Sequence, residues 1–402
     1  MTYRSLKTEF HANGPHAATK LLEQRRHSDS TLHWPFHVGD EQLFCVLSLD
    51  VHAYTEKILN TERTIALQWN ELNGAAQHHY LRSLIVEEVM ATNAIEQIHS
   101  TRKELTAALN AAESTDPTTT RFREAVRLYL DTLSKDVTLP QTPEEIRALY
   151  DRLMLDEISK EDHPDGSLFR ANRVYVSNGT KEVHRGVHPE SAIIEGLGAM
   201  LHSMNDHESP APLVSTLMCH FMFEYLHPFY DGNGRLGRYL LGLCLTQVLS
   251  APTALSLSRT LSRNKEVYYK AFLETENPLN HADGTIFACR LLHLVHTAQR
   301  NLSAEISERK QSLDTLWSSV EQLSNRFEEQ EMAILFVLGQ AHLFNSESGI
   351  LHRTVVEYVP TGDRQTRRWT TRLQERGLVE LRGERPLRYG LTAESRNLLG
   401  LE

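Results

Sequence analysis

The feature that most constrains the fold is a pair of strongly apolar segments joined by a short glycine-rich stretch. The first reads APLVSTLMCHFMFEYL and the second RLGRYLLGLCLTQVL. A helix that is apolar on all sides is typical of a buried position in a larger protein. We therefore predict two central helices that meet at HPFYDGNGRLGR, residues 227–238.

Helical patterns also dominate the rest of the chain, so the fold class we expect is mainly α. From about Glu41 to Asn110 the apolar residues recur with helical period, and a new helix is predicted with Thr142 as N-cap and Pro143 at its first position. In RVYVSNGTKEVHRGV, by contrast, apolar residues alternate with other residues at Val174 and Val176. Asn178-Gly179 follows, a pair that suits a type I′ turn. This stretch is the one β-hairpin that we expect in the first 300 residues.

Composition limits the classes of protein that remain. The length of 402 residues suggests two or three domains, and 40% hydrophobic with 23% charged residues is ordinary for a globular protein. A net charge of −10 argues against a protein that binds nucleic acid along its whole surface. The four cysteines form no C-x-x-C pair and the histidine spacings match no zinc signature. Without an apolar leader or membrane span, we expect a cytoplasmic protein.

The glycine-rich stretch has the properties of an anion site. Gly232 and Gly234 allow close approach of the backbone to a ligand, and the helix predicted to begin near Arg235 offers free N–H groups there. Arg235 and Arg238 are three residues apart, hence on one helix face, and guanidinium groups match phosphate oxygens. The stretch therefore predicts a phosphate site.

A general base and a metal ligand fit beside that site. Pro228 disfavours helical backbone before it, so the first helix should end at His227, whose imidazole can take a proton near neutral pH. Asp231 could hold Mg²⁺ against bound phosphates. A P-loop is excluded because neither lysine nor Ser/Thr follows the glycines, and an EF-hand is excluded by Leu236 and Gly242. The alternative is a glycine-rich connection between two helices, with arginines that contact only solvent.

HPFYDGNGRLGR resembles the Fic (filamentation induced by cAMP) signature H-x-F-x-[D/E]-G-N-G-R-x-x-R at every specified position, and residues 80–300 resemble the Fic core. The resemblance implies transfer of AMP from Mg·ATP to a Ser, Thr or Tyr hydroxyl of a target protein or of the chain itself. It implies that His227 is the general base and Asp231 the Mg²⁺ ligand. The phosphate-binding role falls to Gly232, Asn233, Gly234, Arg235 and Arg238.

The same resemblance gives the hairpin at 174–187 a function. It would be a flap that aligns a target segment by strand addition, with Val174, Val176 and Val183 as the docking residues. The related Doc kinases carry lysine where this chain has Gly234, which disfavours phosphorylation here.

TNAIEQ, residues 92–97, resembles the inhibitory pattern [S/T]-x-x-x-E-[G/N] of many Fic proteins. Thr92 and Glu96 match, whereas Gln97 departs from the last position. The resemblance implies that Glu96 pairs with Arg238 and takes the place of the γ-phosphate. In some family members the same glutamate also supports removal of AMP. The alternative is a glutamate on an ordinary helix surface.

Residues 329–402 resemble a winged helix-turn-helix domain, with a third helix from about Asp363 and a two-stranded wing. Thr366, Trp369, Leu373 and Arg376 share the helix face that should pack. Residues 361–390 hold eight arginines and four acidic residues, so phosphate contacts to DNA are one interpretation. The residues predicted to make them are Arg364, Arg367, Arg368 and Arg372. Dimerisation, including a homodimer, and protein docking are the alternatives.

We thus expect a mainly α protein with a Fic-type core, a β-hairpin flap and a small C-terminal winged-helix domain. The predicted domains are an N-terminal helical or arm region (1–79), the Fic core with its inhibitory helix (80–300), a connecting helix (301–328) and the winged helix-turn-helix (329–402). The function that we favour is a protein adenylyltransferase inhibited by Glu96. A DNA-binding regulator with a nucleotide-sensing core and an enzyme that also removes AMP remain as alternatives.

Overall fold

The structure, a computed structural model, describes residues 3–113, 120–134, 137–155, 157–177, 182–344, 349–384 and 386–401. Helices dominate these ranges, which confirms the mainly α fold class. None of the helices in the described ranges is long and apolar enough to cross a membrane. The four cysteines are buried and free.

The N-terminal region combines helices with a hairpin that the sequence did not predict. Its elements are α1 (Leu6–Asn13), α2 (Pro15–Arg26), β1 (Thr31–Val38), β2 (Glu41–Val46) and α3 (Leu49–Asn70). The expectations of a single hairpin before residue 300 and of helix from Glu41 are therefore wrong. Trp34, Phe36 and Val38 alternate inward along β1, but Pro35 between them weakens the strand pattern, because proline lacks a backbone donor.

The middle of the chain is an assembly of helices around the two apolar segments. It contains α4 (Gly74–Ile95), α5 (Arg102–Ala112), α6 (Arg123–Asp131), α7 (Pro143–Leu153), β3 (Tyr175–Ser177), β4 (Glu182–Arg185), α8 (Glu190–Met204), α9 (Pro212–Leu226) and α10 (Asn233–Leu245). Then follow α11 (Ala251–Ala254), α12 (Leu257–Arg263), α13 (Lys265–Glu276) and α14 (Thr285–Glu321), with 3-10 turns at Lys160–Asp162 and Pro278–Asn280.

The two apolar segments are buried as predicted. α9 buries residues on all its sides, and α10 does so along most of its length. The predicted start of α7 is also confirmed, because Thr142 Oγ1 accepts the N–H of Glu145 at 3.3 Å and Pro143 is the first helical residue. One apolar core runs from Trp34 to Phe344 and joins the N-terminal region to these helices.

The C-terminal part forms a second core, from Leu316 to Leu401. Its elements are α15 (Glu329–Leu343), β5 (Ile350–Leu351), α16 (His352–Tyr358), α17 (Asp363–Glu375), β6 (Val379–Glu384), β7 (Leu387–Leu391) and α18 (Ala393–Leu398). The strands form an antiparallel sheet in the order β5-β7-β6.

The C-terminal part lies against α4. The ring of Phe344 stacks on Tyr80 of α4 with centroids 5.2 Å apart, and Arg353 Nη2 donates to the carbonyl of Glu113 at 2.8 Å. The domain limits predicted at 79/80 and 300/301 fall inside α4 and α14, because both helices run through them.

Candidate active site

The site is built where α9 ends and α10 begins. His227 caps α9 in the left-handed region (φ 50°, ψ 61°), and its N–H donates to the carbonyl of Phe223 at 3.1 Å. The helix thus ends at His227 as predicted, since Pro228 disfavours helical backbone before it. Gly232, with φ 84°, is the N-cap of α10, whose first residue is Asn233. The second helix therefore starts two residues before the predicted Arg235.

Contacts inside the loop fix its shape. The side-chain amide of Asn233 brackets Phe229: Nδ2 donates to its carbonyl at 2.8 Å and Oδ1 accepts its N–H at 2.9 Å. The ring of Tyr150 stacks on Phe229 with centroids 3.6 Å apart, and its hydroxyl donates to the Asp231 carbonyl at 3.1 Å. The Asn233 side chain, expected in the phosphate cradle, is thus used by the loop, while its backbone N–H belongs to the open first turn of α10.

The imidazole of His227 is held in its neutral form. It is partly buried and hydrogen-bonds to the backbone of Glu224, and the His184 ring lies 5.9 Å away between centroids. Burial, followed by the nearby His184, lowers the pKa of His227 to about 3. His184 is fixed in turn by Glu276 Oε2 at 2.7 Å and by the Tyr225 carbonyl at 3.0 Å. A neutral imidazole can accept a proton at physiological pH.

Arg235 carries a buried charge that lacks a close partner. Only 5% of the residue is exposed, and within the described part of the chain Nε and Nη2 make no hydrogen bond. The nearest carboxylate oxygens, on Asp231 and Glu157, are each 3.9 Å away. Leaving a guanidinium unpaired in a buried place is costly. Together with the open N–H groups at the start of α10, this arrangement suits an anion.

Asp231 stands beside that anion site with its carboxylate 57% exposed. Its Oδ1 accepts the Gly232 N–H at 2.6 Å. Among the described residues, no cluster of three or more His, Cys, Asp or Glu side chains could hold a metal ion. A single accessible carboxylate fits Mg²⁺, which takes one or two carboxylates and completes its shell with water and phosphate oxygens.

Arg238 is occupied by the segment that contains Thr92 and Glu96. Its Nε donates to Thr92 Oγ1 at 2.7 Å and its Nη2 to Glu96 Oε1 at 2.5 Å. Arg238 is 2% exposed, and a Cβ added to Gly234 would collide with Glu96 Oε1. The structure thus brings the two parts of the predicted inhibitory contact together, directly over the first turn of α10.

The backbone at the end of α4 explains the unusual last position of this segment. Gln97 has φ 60°, and Ile98 N–H donates to the Asn93 carbonyl at 2.9 Å. Glycine and asparagine are favoured in this left-handed position after a helix, so Gln97 is a strained residue there. Lys265 Nζ caps the same end through the carbonyls of Ala94 and Ile95, both at 2.8 Å.

The predicted hairpin is present as β3 and β4, which pair Tyr175 with Arg185 and Val176 with His184. Val174 is partly buried at its base. The Asn178-Gly179 turn and the side chains of Val176 and Val183 lie outside the described residues.

Two residues beside the site carry no motif in the sequence. Glu224 Oε1 is buried with no hydrogen bond to any described residue, and burial raises the pKa of this carboxyl to about 7. Arg170 is fully buried and donates to main-chain carbonyls around His227. Arg170 is far from Gly232–Arg238 in sequence, so only the folded chain brings it there, whereas Glu224 lies in α9, three residues before His227.

The arginines of α17 differ in their surroundings. Arg367 Nε lies 3.3 Å from Asp363, and Arg372 Nε lies 3.2 Å from the buried Glu331. Arg364 and Arg368 are exposed and have no ion pair to a described residue. On the packing face, Thr366 and Leu373 are buried as predicted, while Trp369 packs against the core and Arg376 pairs with Glu331 at 3.3 Å.

Residues 140–245 match the model of the Fic/DOC family, so this part of the chain is a Fic/DOC domain. A curated relative, "Probable protein adenylyltransferase aq_aa38" of Aquifex aeolicus (strain VF5), is 39% identical over 61 residues. That match spans 15% of this chain and 17% of the relative, a small fraction of either length.

Solved Fic structures are similar over longer ranges at low identity. A Fic family protein from Desulfovibrio desulfuricans G20 is 18% identical with a TM-score of 0.47, covering 84% of this chain and 96% of its own. Fic-1 from C. elegans is 16% identical with a TM-score of 0.47, covering 75% and 81%.

Proposed function

We propose that this protein is an adenylyltransferase that transfers AMP from Mg·ATP to a Ser, Thr or Tyr hydroxyl of a target protein or of itself. The observation that carries the proposal is the presence, in one loop, of a neutral His227 and of a buried Arg235 whose Nε and Nη2 make no hydrogen bond to a described residue. One group can take a proton, and the other can hold phosphate in the same loop. The Fic/DOC domain and the name of the Aquifex relative support the same reaction class.

The chemistry follows from these roles. The target hydroxyl gives its proton to the free ring nitrogen of His227 while its oxygen forms a bond to the α-phosphorus. The bond from that phosphorus to the bridging oxygen breaks, and pyrophosphate leaves with the electron pair. Arg235, and Arg238 once it is released, would hold the β- and γ-phosphates in line, since guanidinium groups bind phosphate oxygens in pairs.

Asp231 would hold the Mg²⁺ that neutralises phosphate charge when Mg·ATP is bound. The N–H groups at the start of α10 would contact the same phosphates. The flap would present the target segment to His227 by pairing along β3 or β4.

Glu96 would inhibit this reaction. Its carboxylate occupies Arg238 and covers the first turn of α10, where a γ-phosphate would need the same guanidinium. ATP bound beside Glu96 would adopt a pose unsuited to attack. Because Glu96 is 31% exposed, it could also meet a water molecule, so an enzyme that removes AMP remains the bifunctional alternative.

DNA binding by the C-terminal part is a second candidate, favoured by Arg364 and Arg368. Both are exposed on α17 without an ion pair to a described residue, and α17 with the β6–β7 strands fits the winged helix-turn-helix interpretation. In that case the protein would be a DNA-binding regulator, and its Fic/DOC domain would sense nucleotide. Homodimerisation and protein docking through this part are the alternatives.

The position of the label in ATP tests the main proposal. The Glu96→Gly protein should become labelled from α-labelled ATP and stay unlabelled from γ-labelled ATP. Labelling from the γ position alone would show phosphorylation and contradict AMP transfer. No labelling from either position, alone or with lysate, would leave the nucleotide-sensing regulator.

A further inference from the structure

Arg170 joins the catalytic loop to the base of the flap. Its Nε donates to the His227 carbonyl at 2.8 Å and its Nη2 to the Leu226 carbonyl at 3.2 Å. On the flap side, Nη2 donates to the Val187 carbonyl and Nη1 to the Asn172 carbonyl, both at 2.7 Å. One side chain thus holds four carbonyls: one in its own segment, one just after β4 and two at the end of α9.

The backbone of Arg170 adds a further link, because its N–H donates to the Pro228 carbonyl at 3.2 Å. The peptides on both sides of His227 are therefore fixed by the same residue. His227 needs this support, since its left-handed backbone (φ 50°) is unfavourable for a side chain with a Cβ.

The charge of Arg170 is unusual. The residue is 0% exposed, and among the described residues its side chain donates to main-chain carbonyls and forms no ion pair with a carboxylate. Burial lowers the pKa of the guanidinium, yet an arginine remains protonated in proteins. A buried charge held only by dipoles costs free energy, so a neutral residue would serve better if the role were packing alone.

Gly186 marks the place where the flap, Arg170 and His227 touch. A Cβ added to Gly186 would lie 2.5 Å from Arg170 Nη2, 2.8 Å from Val174 Cγ1 and 3.2 Å from His227 Cβ. The flap base, the guanidinium of Arg170 and the Cβ of His227 are therefore packed around one glycine, which leaves no room for a side chain at residue 186.

We infer that Arg170 is a positioning residue for the proposed general base: it locks the His227 backbone against the base of the flap, so that the ring is aimed at a hydroxyl presented there. The inference rests on the proposed function for its effect on rate. The fixed charge of Arg170 also contributes to keeping the His227 ring neutral, after burial and His184.

The test uses the full chain with Glu96→Gly as parent and adds Arg170→Gln, Arg170→Lys or Gly186→Ala. Arg170→Gln removes the positive charge. Arg170→Lys keeps the charge but loses the planar set of guanidinium N–H donors. Gly186→Ala displaces the guanidinium of Arg170 without removing a polar group. Arg173→Gln, an exposed arginine at the same flap base, is the matched control.

We expect each of the three variants to lower the AMP-transfer kcat by ~10–100-fold, as a misplacement near 1 Å does, with ATP affinity in calorimetry unchanged. We also expect the His227 titration, followed by NMR of labelled histidine and assigned with His227→Ala, to move to higher pH in Arg170→Gln. Arg173→Gln should leave the rate, affinity and titration as in the parent.

An unmoved His227 titration in Arg170→Gln, or a loss of ATP affinity in proportion to kcat, would overturn the positioning role and leave a structural one. The NMR measurement needs no activity. If the parent transfers no AMP while the titration moves as expected, the proposed function fails and the positioning of His227 stands. If the Arg170 variants do not fold, Gly186→Ala decides through kcat and ATP affinity: a lower kcat at unchanged affinity supports the positioning role, and an unchanged kcat overturns it.

Discussion

Arg238 of α10 and Glu96 at the end of α4 form an ion pair with Nη2 and Oε1 2.5 Å apart, 142 residues from each other in sequence. Arg238 is almost fully buried and Glu96 is partly exposed. Movement of the end of α4 can therefore break the pair without unpacking Arg238. This makes the pair suited to a reversible block of the phosphate site.

Removal of the Glu96 side chain should activate the enzyme. In Glu96→Gly, Arg238 becomes available to the γ-phosphate, and self-labelling with α-labelled ATP should rise at least ~10-fold, as expected for a charge contact worth more than 1.4 kcal/mol. Glu71→Gly is the matched control, because Glu71 is an exposed glutamate at the end of α3. Equal labelling in Glu96→Gly and wild type would place the inhibitor elsewhere.

Replacement of the strained residue after Glu96 should have the opposite effect. Gln97→Gly removes a left-handed strain of ~1 kcal/mol, which should raise the melting temperature by ~1 °C and lower basal labelling ~5-fold. Gln97→Ala keeps the strain and serves as the control. A Gln97→Gly protein that melts at a lower temperature, or labels more strongly, would show that the end of α4 does not hold Glu96 in place.

The neutral state of His227 predicts a pH dependence of stability. Its folded pKa of about 3 lies below the ordinary value of 6.5, so the unfolded chain binds the extra proton. The stability due to neutral His227 is present above pH 6.5 and is lost as pH falls towards 3, by up to ~1.4 kcal/mol per pH unit. His227→Gln should flatten the stability curve between pH 6 and 4 in urea titrations, whereas exposed His207→Gln should not. An unchanged curve in His227→Gln would contradict the neutral state of the partly buried imidazole.

The local geometry of residues 227–238 could be predicted from the sequence because its polar groups are contiguous and lie at two helix ends. The end of α9 and the start of α10 suffice to place His227, Asp231 and Arg235 in one loop. Pro228 and Gly232 mark these two boundaries in the sequence. Thr92 and Glu96 are distant, yet their spacing on one helix was visible. The structure placed them on Arg238.

What the sequence could not indicate depends on long-range contacts. Arg170 lies before the flap with no motif around it, and its importance appears only from its hydrogen bonds to three carbonyls on two other segments, those of Val187, Leu226 and His227. In the sequence, Tyr150 cannot be distinguished from other core residues of α7. Its contact with the loop appears only in the structure, where it stacks on Phe229. From the sequence, the side chain of Asn233 could contact either a bound phosphate or the backbone. In the structure it hydrogen-bonds to the main chain of Phe229.

The exposed arginines of α17 give a prediction for DNA. The double change Arg364→Ala with Arg368→Ala should weaken duplex binding and flatten its log–log salt dependence by ~2, at about one unit per lost phosphate contact. Arg367→Ala is the control on the same helix, since Arg367 is paired with Asp363. Duplex binding that is absent at low salt, or unaffected by the double change, would favour a docking or dimerisation role.

The role of His227 is tested most directly in the activated protein. Glu96→Gly and Glu96→Gly with His227→Ala are incubated with Mg·ATP, and intact-protein mass spectrometry counts the chains that gain the mass of AMP. Calorimetry on the same preparations measures ATP affinity. We predict that the added AMP disappears with His227 while ATP affinity stays within about two-fold, because the base acts on the hydroxyl and not on the phosphates. Undiminished AMP addition without His227 would contradict the mechanism.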